Sequence, residues 1–397
     1  MTKKETLLII LGIIFISFNL RAPITAVGSV VEMIQEEYLL SNGKAGLMTT
    51  LPLIAFALVS PFVAKFSHRW GYGKTMAGGL GFIFLGLVIR SYTNLSGLFI
   101  GTALLGVGIA LGNVLVPSII KLKFPSKVGL VTSIYTSSMI IFAALGAGVS
   151  LPLAKGLNLG WRHALALWLI LTFTTFIIWI PQIKEKGNQQ NPKGNSFGSN
   201  VHPSSQSIWA SSLAWSVTLF MGIQSFIFYS LVAWLPTIIL SKGMPDSFSA
   251  TMALTFQLAG IPAALIIPIL CDKFKNQRGL VLVTSFIYLS GLGLLLMCQT
   301  EFAITIAVLL SASGMGGSIS LSIAFLSLRS PNSKKASELS GMAQSAGYLL
   351  AAFGPILMGM IYDSFQSWTL PLIIFNILIF FLAVSGWHAG NNLVIQE

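Results

Sequence analysis

Residues 184–206 read KEKGNQQNPKGNSFGSNVHPSSQ, a stretch dominated by Asn, Gly, Ser and Pro. A segment of this kind cannot bury enough apolar surface to order itself, and it reads as a polar linker. What flanks it decides the fold. A hydrocarbon layer about 30 Å thick needs about 20 apolar residues of helix to cross it, and six such runs precede the linker while six follow it. They cover residues 7–31, 45–66, 75–91, 95–120, 128–153 and 163–180, then 208–240, 248–270, 279–298, 302–328, 339–361 and 368–387. The expected fold is an all-α membrane protein of twelve transmembrane helices, with residues 1–181 and 208–397 as two six-helix bundles and 182–207 as the linker between them.

Composition agrees. Of 397 residues, 54% are hydrophobic and 9% are charged, against about 25% charged in an ordinary soluble domain, so a water-soluble fold could not cover its surface. The first run is too long for a signal peptide, carries Arg21 inside it and lacks a small-residue cleavage site; it is expected to remain in the mature protein. The net charge of +12 is spread thinly between apolar runs rather than gathered into a basic face, which excludes a nucleic-acid partner. Cys271 and Cys298 offer neither a disulfide framework nor metal-ligand spacing. No metal and no cofactor is expected. The expected partners are a small-molecule substrate and the bilayer, and one chain of twelve helices suffices as a monomer.

Lys and Arg near span ends are retained on the cytoplasmic side. Alternate loops separate cleanly: seventeen basic residues fall in one set, while the other holds Lys44, Arg90, Lys155, Arg162 and Lys242, with Arg21 left inside a span. Both termini are therefore expected to face the cytoplasm, in a multi-pass protein of the plasma membrane. An internal repeat is also expected. Pro52 and Pro262, Pro61 and Pro268, Gly106 and Gly314, and Trp161 and Trp368 correspond at shifts of 210, 207, 208 and 207. Four landmarks in order point to parallel six-helix repeats, with a substrate site at their interface near mid-depth.

Arg21 carries the most information. At about 1.5 Å per residue it sits roughly 21 Å into the first run, where a charge costs at least a few kcal/mol unless it meets water, a partner or a substrate. No Asp or Glu occupies the middle of any run. The guanidinium fork suits planar oxygens or nitrogens, so an anion or polar solute is one reading; a structural arginine satisfied by carbonyls freed at Pro23 is the other. Asn19 and Thr25 accompany it in the first run. Ser225 and Tyr229 share a helix face in the seventh run, as Gln344 and Tyr348 do in the eleventh. Gln224 and Trp234, together with Asn113 and Gln257 in the fourth and eighth runs, complete the candidate substrate-binding set. Aromatics beside amides suit a small planar solute, although polar side chains in membranes also bond helix to helix. His163 reads as interfacial and His68 as a loop residue. The small-residue patterns Gly108 with Gly112, and Gly347, Ala351, Pro355 and Gly359, read as close helix packing, with sliding between two rocking bundles as a further expectation.

The segments NLRAPITAVG (19–28), GVGIALGNVLVP (106–117), GWRHALALW (160–168), FYSLVAWLPTI (228–238) and AGYLLAAFGP (346–355) together resemble the cyanate and 2-nitroimidazole transporter family of the major facilitator superfamily (MFS). The resemblance spans nearly the whole chain. It implies the MFS fold of two pseudo-symmetric six-helix bundles, alternating access around a central cavity, no enzymatic activity, and an arginine in the first span, here Arg21. There are departures. The superfamily loop after the second span usually carries an acid, whereas here residues 64–74 read AKFSHRWGYGK, keeping Arg69 and Gly71 with His68 in the acid's place; Asp272 and Lys273 hold the equivalent gating position in the second half. Thr102 stands where proton-coupled relatives often have an arginine. The expected function is secondary transport of a small planar or anionic solute such as cyanate. Export of small neutral nitroimidazole-like aromatics, and a membrane sensor that moves nothing, are the alternatives.

Overall fold

The computed structural model describes residues 3–40, 42–184 and 207–395, so the linker lies almost wholly outside the described residues. Twelve helices among the described residues are long and apolar enough to cross a membrane: Glu5–Ser29, Thr50–Trp70, Tyr72–Tyr92, Leu95–Lys123, Val128–Gly156 and Gly160–Ile183, then Ser212–Leu240, Ser247–Lys273, Arg278–Met297, Glu301–Leu328, Ser333–Phe365 and Thr369–Ala389. They are numbered here as the first to twelfth spans. Antiparallel succession brings the Lys- and Arg-rich loops to one end of the molecule, called the basic face below.

Boundaries moved in instructive places. The first span stops at Ser29, and a separate helix, Val31–Tyr38, follows it. That helix is held by a corner in which Arg162 pairs with Glu37 at 2.5 Å, the Trp161 indole N–H donates to Glu37 at 2.6 Å, and Arg162 donates to Tyr38 at 2.9 Å. Arg90, assigned above to a loop, is instead fully buried in the third span, where it donates to the Pro23 carbonyl at 2.8 Å. The arginine that satisfies main chain near the proline of the first span is thus Arg90, not Arg21.

Within each half the same pairs of spans meet through small residues. Gly86 of the third span lies against Gly101 and Leu105 of the fourth, and Gly291 of the ninth against Ala307 and Ser311 of the tenth. Gly146 of the fifth meets Ala22 and Thr25 of the first, as Gly354 of the eleventh meets Phe226 and Ser230 of the seventh. Equivalent contacts in the two halves are the pseudo-symmetry of two six-helix bundles. The third, sixth, ninth and twelfth spans expose rows of large apolar side chains, among them Phe84, Phe173, Phe286 and Phe380. Those rows face lipid.

The small-residue stripe of the eleventh span does not join the bundles, contrary to the sliding expectation. Gly347 abuts Gly222, and Gly359 abuts Trp234, both of the seventh span in the same bundle. The fourth-span pair diverges too, Gly108 meeting the third span at Gly79 and Ile83 while Gly112 meets Leu20 of the first. The close approaches between bundles are Gly129 to Pro268 and Gly341 to Ser60.

Candidate functional site

Between the bundles, hydrogen bonds cluster from mid-depth to the basic face. Ser133 donates to the Leu265 carbonyl at 2.6 Å, Ser327 to that of Pro117 at 2.8 Å, Ser345 to that of Ala57 at 2.6 Å, and Asp272 accepts from the main-chain N–H of Gly129 and Leu130. Short hydroxyl side chains let helix backbones come close while still satisfying the carbonyls they reach. The gap between the bundles is therefore closed on its basic face.

Above that closure sits Arg21. Partly exposed, it donates through Nη1 to the Tyr229 hydroxyl at 3.1 Å, a bond that crosses from the first span to the seventh. The Tyr348 hydroxyl lies beside the same guanidinium, and the Tyr229 and Tyr348 rings meet edge to face at 6.3 Å. Beneath them is a narrow crevice of only about 10 Å³, lined by Asn113, Tyr135, Met139, Met221, Gln344 and Tyr348 among others. Asn113 accepts from Tyr135 at 3.3 Å. Gln344 donates to Ser340 at 3.0 Å and Gln224 to Ser225 at 2.7 Å, and each glutamine leaves a buried Oε1 with no hydrogen-bond partner among the described residues. A buried acceptor without a donor costs about 1–3 kcal/mol, so both oxygens favour a ligand that brings an N–H or O–H.

Arg21, Asn113, Tyr229, Gln344 and Tyr348 are thus gathered from the first, fourth, seventh and eleventh spans, with Gln224 and Ser225 buried on the seventh. Thr25, one turn beyond Arg21, returns its hydroxyl to the main chain of Arg21 and Ala22. Asn19 belongs elsewhere. Its amide donates to Thr175 at 2.7 Å and accepts from Thr172 at 2.6 Å, which pins the first span to the sixth inside one bundle. Trp234 likewise donates to the Pro355 carbonyl at 2.8 Å and lies tilted against the Trp368 ring at 5.3 Å within the other bundle. Gln257 is half-buried just before the helix break at residues 259–260 of the eighth span, and no contact joins it to Arg21.

Among the gating residues, Asp272 takes the cross-bundle contact just described, while Arg69 and Lys273 are exposed. Gly71 adopts φ 81°, the left-handed turn that glycine tolerates without strain, between the second and third spans. His163 stays exposed at a span end, its Nδ1 3.0 Å from the Leu159 carbonyl.

Sequence reasoning missed Tyr135 and Met139 of the fifth span, and Phe56, which packs on Tyr348 at 5.2 Å. The run Thr132, Ser133, Tyr135, Thr136, Ser137 is the signal that marks the fifth span as interior. It also missed Arg329, buried at the basic end of the tenth span, where it donates to Gln277 and to the Leu393 carbonyl.

Comparison with known proteins places these features. The family model for the Major Facilitator Superfamily matches residues 7–349. The chain is 44% identical over 395 residues to the uncharacterized transporter YycB of Bacillus subtilis (strain 168), covering 100% of this chain and 96% of that one. It is 38% identical to the 2-nitroimidazole transporter of Escherichia coli (strain K12), over 99% and 98% of the two chains. The cyanate transport protein CynX of the same organism is 22% identical over 89% of each. Among solved structures, the proton:xylose symporter XylE superposes with a TM-score of 0.82 at 14% identity, over 98% of this chain and 96% of that one. The last likeness is one of fold.

Proposed function

The chain belongs to the Major Facilitator Superfamily, in its cyanate and 2-nitroimidazole transporter family, and on that premise we propose that this integral membrane transporter carries a small planar anion, with Arg21 binding it. One observation carries the reading: a guanidinium at mid-depth between the bundles whose partners are phenols, with no carboxylate pairing with it among the described residues. A phenol leaves most of the positive charge uncompensated, and a planar oxyanion or cyanate supplies what is missing. Tyr229, Tyr348, Asn113, Gln344, Gln224 and Ser225 complete the site, with Thr25 supporting Arg21. Residues 1–181 and 208–397 rock about it in alternating access, in the plasma membrane, with the basic face and both termini cytoplasmic.

A second reading has its own support. The partnerless Oε1 atoms of Gln224 and Gln344 would accept from a ring N–H, as a neutral nitroimidazole offers, and the relative at 38% identity is a 2-nitroimidazole transporter. Counterflow in proteoliposomes with labelled cyanate, nitrite and 2-nitroimidazole separates the two. The first reading expects anion movement that Arg21→Ala abolishes while membrane insertion is intact. Wild-type flux in that variant removes Arg21 from the site.

A further inference from the structure

Resting on the anionic reading above, we infer that this transporter is an exchanger: it turns over efficiently with an anion bound in each direction and returns empty slowly. Of the buried arginines, Arg90 is tied to the Pro23 carbonyl of its own bundle, and Arg329 to Gln277 and the Leu393 carbonyl of its own. Those contacts travel with their bundles. Arg21 differs, because its hydrogen bond to Tyr229 spans the interface that alternating access must rearrange.

No fixed acid is placed to follow it. The acidic residues that fall within spans, Glu5, Asp272, Glu301, Glu338 and Asp363, all lie near span ends, and the ion pairs Arg162–Glu37 and Lys335–Glu338 are likewise at the ends. In the present state Arg21 is partly exposed while the basic face is closed by cross-bundle contacts. To reach the opposite state the bundles must pass through a form closed at both ends, in which that side chain loses its water. With cargo bound, the enclosed site holds a cation and an anion and is neutral. Empty, it encloses a lone guanidinium, which low-dielectric surroundings penalise. The loaded transition is therefore the fast one.

The test uses full-length protein in liposomes held at zero membrane potential, with labelled cyanate and 4-hydroxybenzoate as probes. Uptake into vesicles preloaded with the same unlabelled anion is compared with uptake into vesicles without it. Preloading is expected to raise the rate about 100-fold, equivalent to about 2.7 kcal/mol at 1.36 kcal/mol per decade. A second readout is Cys271, buried beside Asp272 at the closed face: in a Cys298→Ser background, added anion should speed its alkylation by N-ethylmaleimide. Equal rates into loaded and empty vesicles, with alkylation unchanged by anion, overturn exchange and leave the anionic reading standing. Absence of anion movement in both kinds of vesicle ends the anionic reading, and the inference with it.

Discussion

The carboxylate of Asp272, at the basic end of the eighth span, accepts the main-chain N–H of Gly129 at 2.8 Å in the first turn of the fifth span, and that of Leu130 at 3.0 Å. Lys127, the residue that precedes this helix, offers no capping side chain of its own. The cap is supplied from the other bundle, by a negative charge at the positive end of the helix dipole.

Asp272→Ala should therefore loosen the basic face. Losing a helix cap costs about 0.5–2 kcal/mol, which biases the transporter toward opening on that side, and Cys271 should be alkylated several-fold faster. His68, expected in a loop, lies instead in the last turn of the second span, where the helix runs on to Trp70. His68→Ala, at the equivalent position of the first half, should leave the rate close to wild type, because there is no acid there to lose. Equal effects of the two variants would show that the latch is not one-sided.

Gly129→Ala tests the same closure sterically. A Cβ there would collide with the Pro268 carbonyl of the opposite bundle, and one at Gly341 would crowd the Ser60 carbonyl. Both substitutions are expected to favour the state open at the basic face, with Gly129→Ala the stronger. Gly347→Ala, whose neighbour Gly222 belongs to the same bundle, should lower thermal stability without shifting Cys271 alkylation. Unchanged alkylation in Gly129→Ala would contradict the assignment of this contact to the gate.

The corner around Glu37 predicts a pH dependence. Burial raises the affinity of this carboxylate for a proton, but the hydrogen bonds from Trp161 and Arg162 and the nearby Arg162 charge outweigh it, holding the group below the ordinary carboxylate range. A depressed folded-state value means the stabilisation is present above the unfolded value of about 4.3 and is lost as pH falls through the lower folded one. Glu37→Gln should lower the unfolding temperature at pH 7, and the gap from wild type should close as pH drops below about 4. A gap independent of pH would remove charge from the account.

Much of the fold is legible in the sequence, and the reasons are local. Apolar runs count the spans, Lys and Arg alternate between loops, and a charge at mid-run marks Arg21 without reference to anything distant. The unread features depend on partners far along the chain. Arg90 sits two residues from the end of its helix, where position alone says loop; that it turns inward to the Pro23 carbonyl depends on a residue 67 positions away. Asn19 looks like a companion of Arg21, yet Thr172 and Thr175, more than 150 positions on, claim its amide. Tyr135 carries no charge to mark it, and the hydroxyl run around it tells of an interior face without naming the partner it meets; a glycine at a bundle interface reads the same as one inside a bundle.

The central claim, that Arg21 binds an anion beside Tyr229 and Tyr348, is tested most directly by binding. Calorimetric titration of purified full-length protein with cyanate and with 4-hydroxybenzoate should show affinity for at least one of them, weakened at least 10-fold in Arg21→Gln, since a hydrogen bond to a charged group contributes about 1.5–3 kcal/mol and 1.4 kcal/mol is a decade of affinity. Arg21→Gln should unfold at the wild-type temperature or above it in the absence of ligand, as a charge at membrane depth without a counter-ion is removed. Wild-type affinity for the anion in that variant would contradict the account.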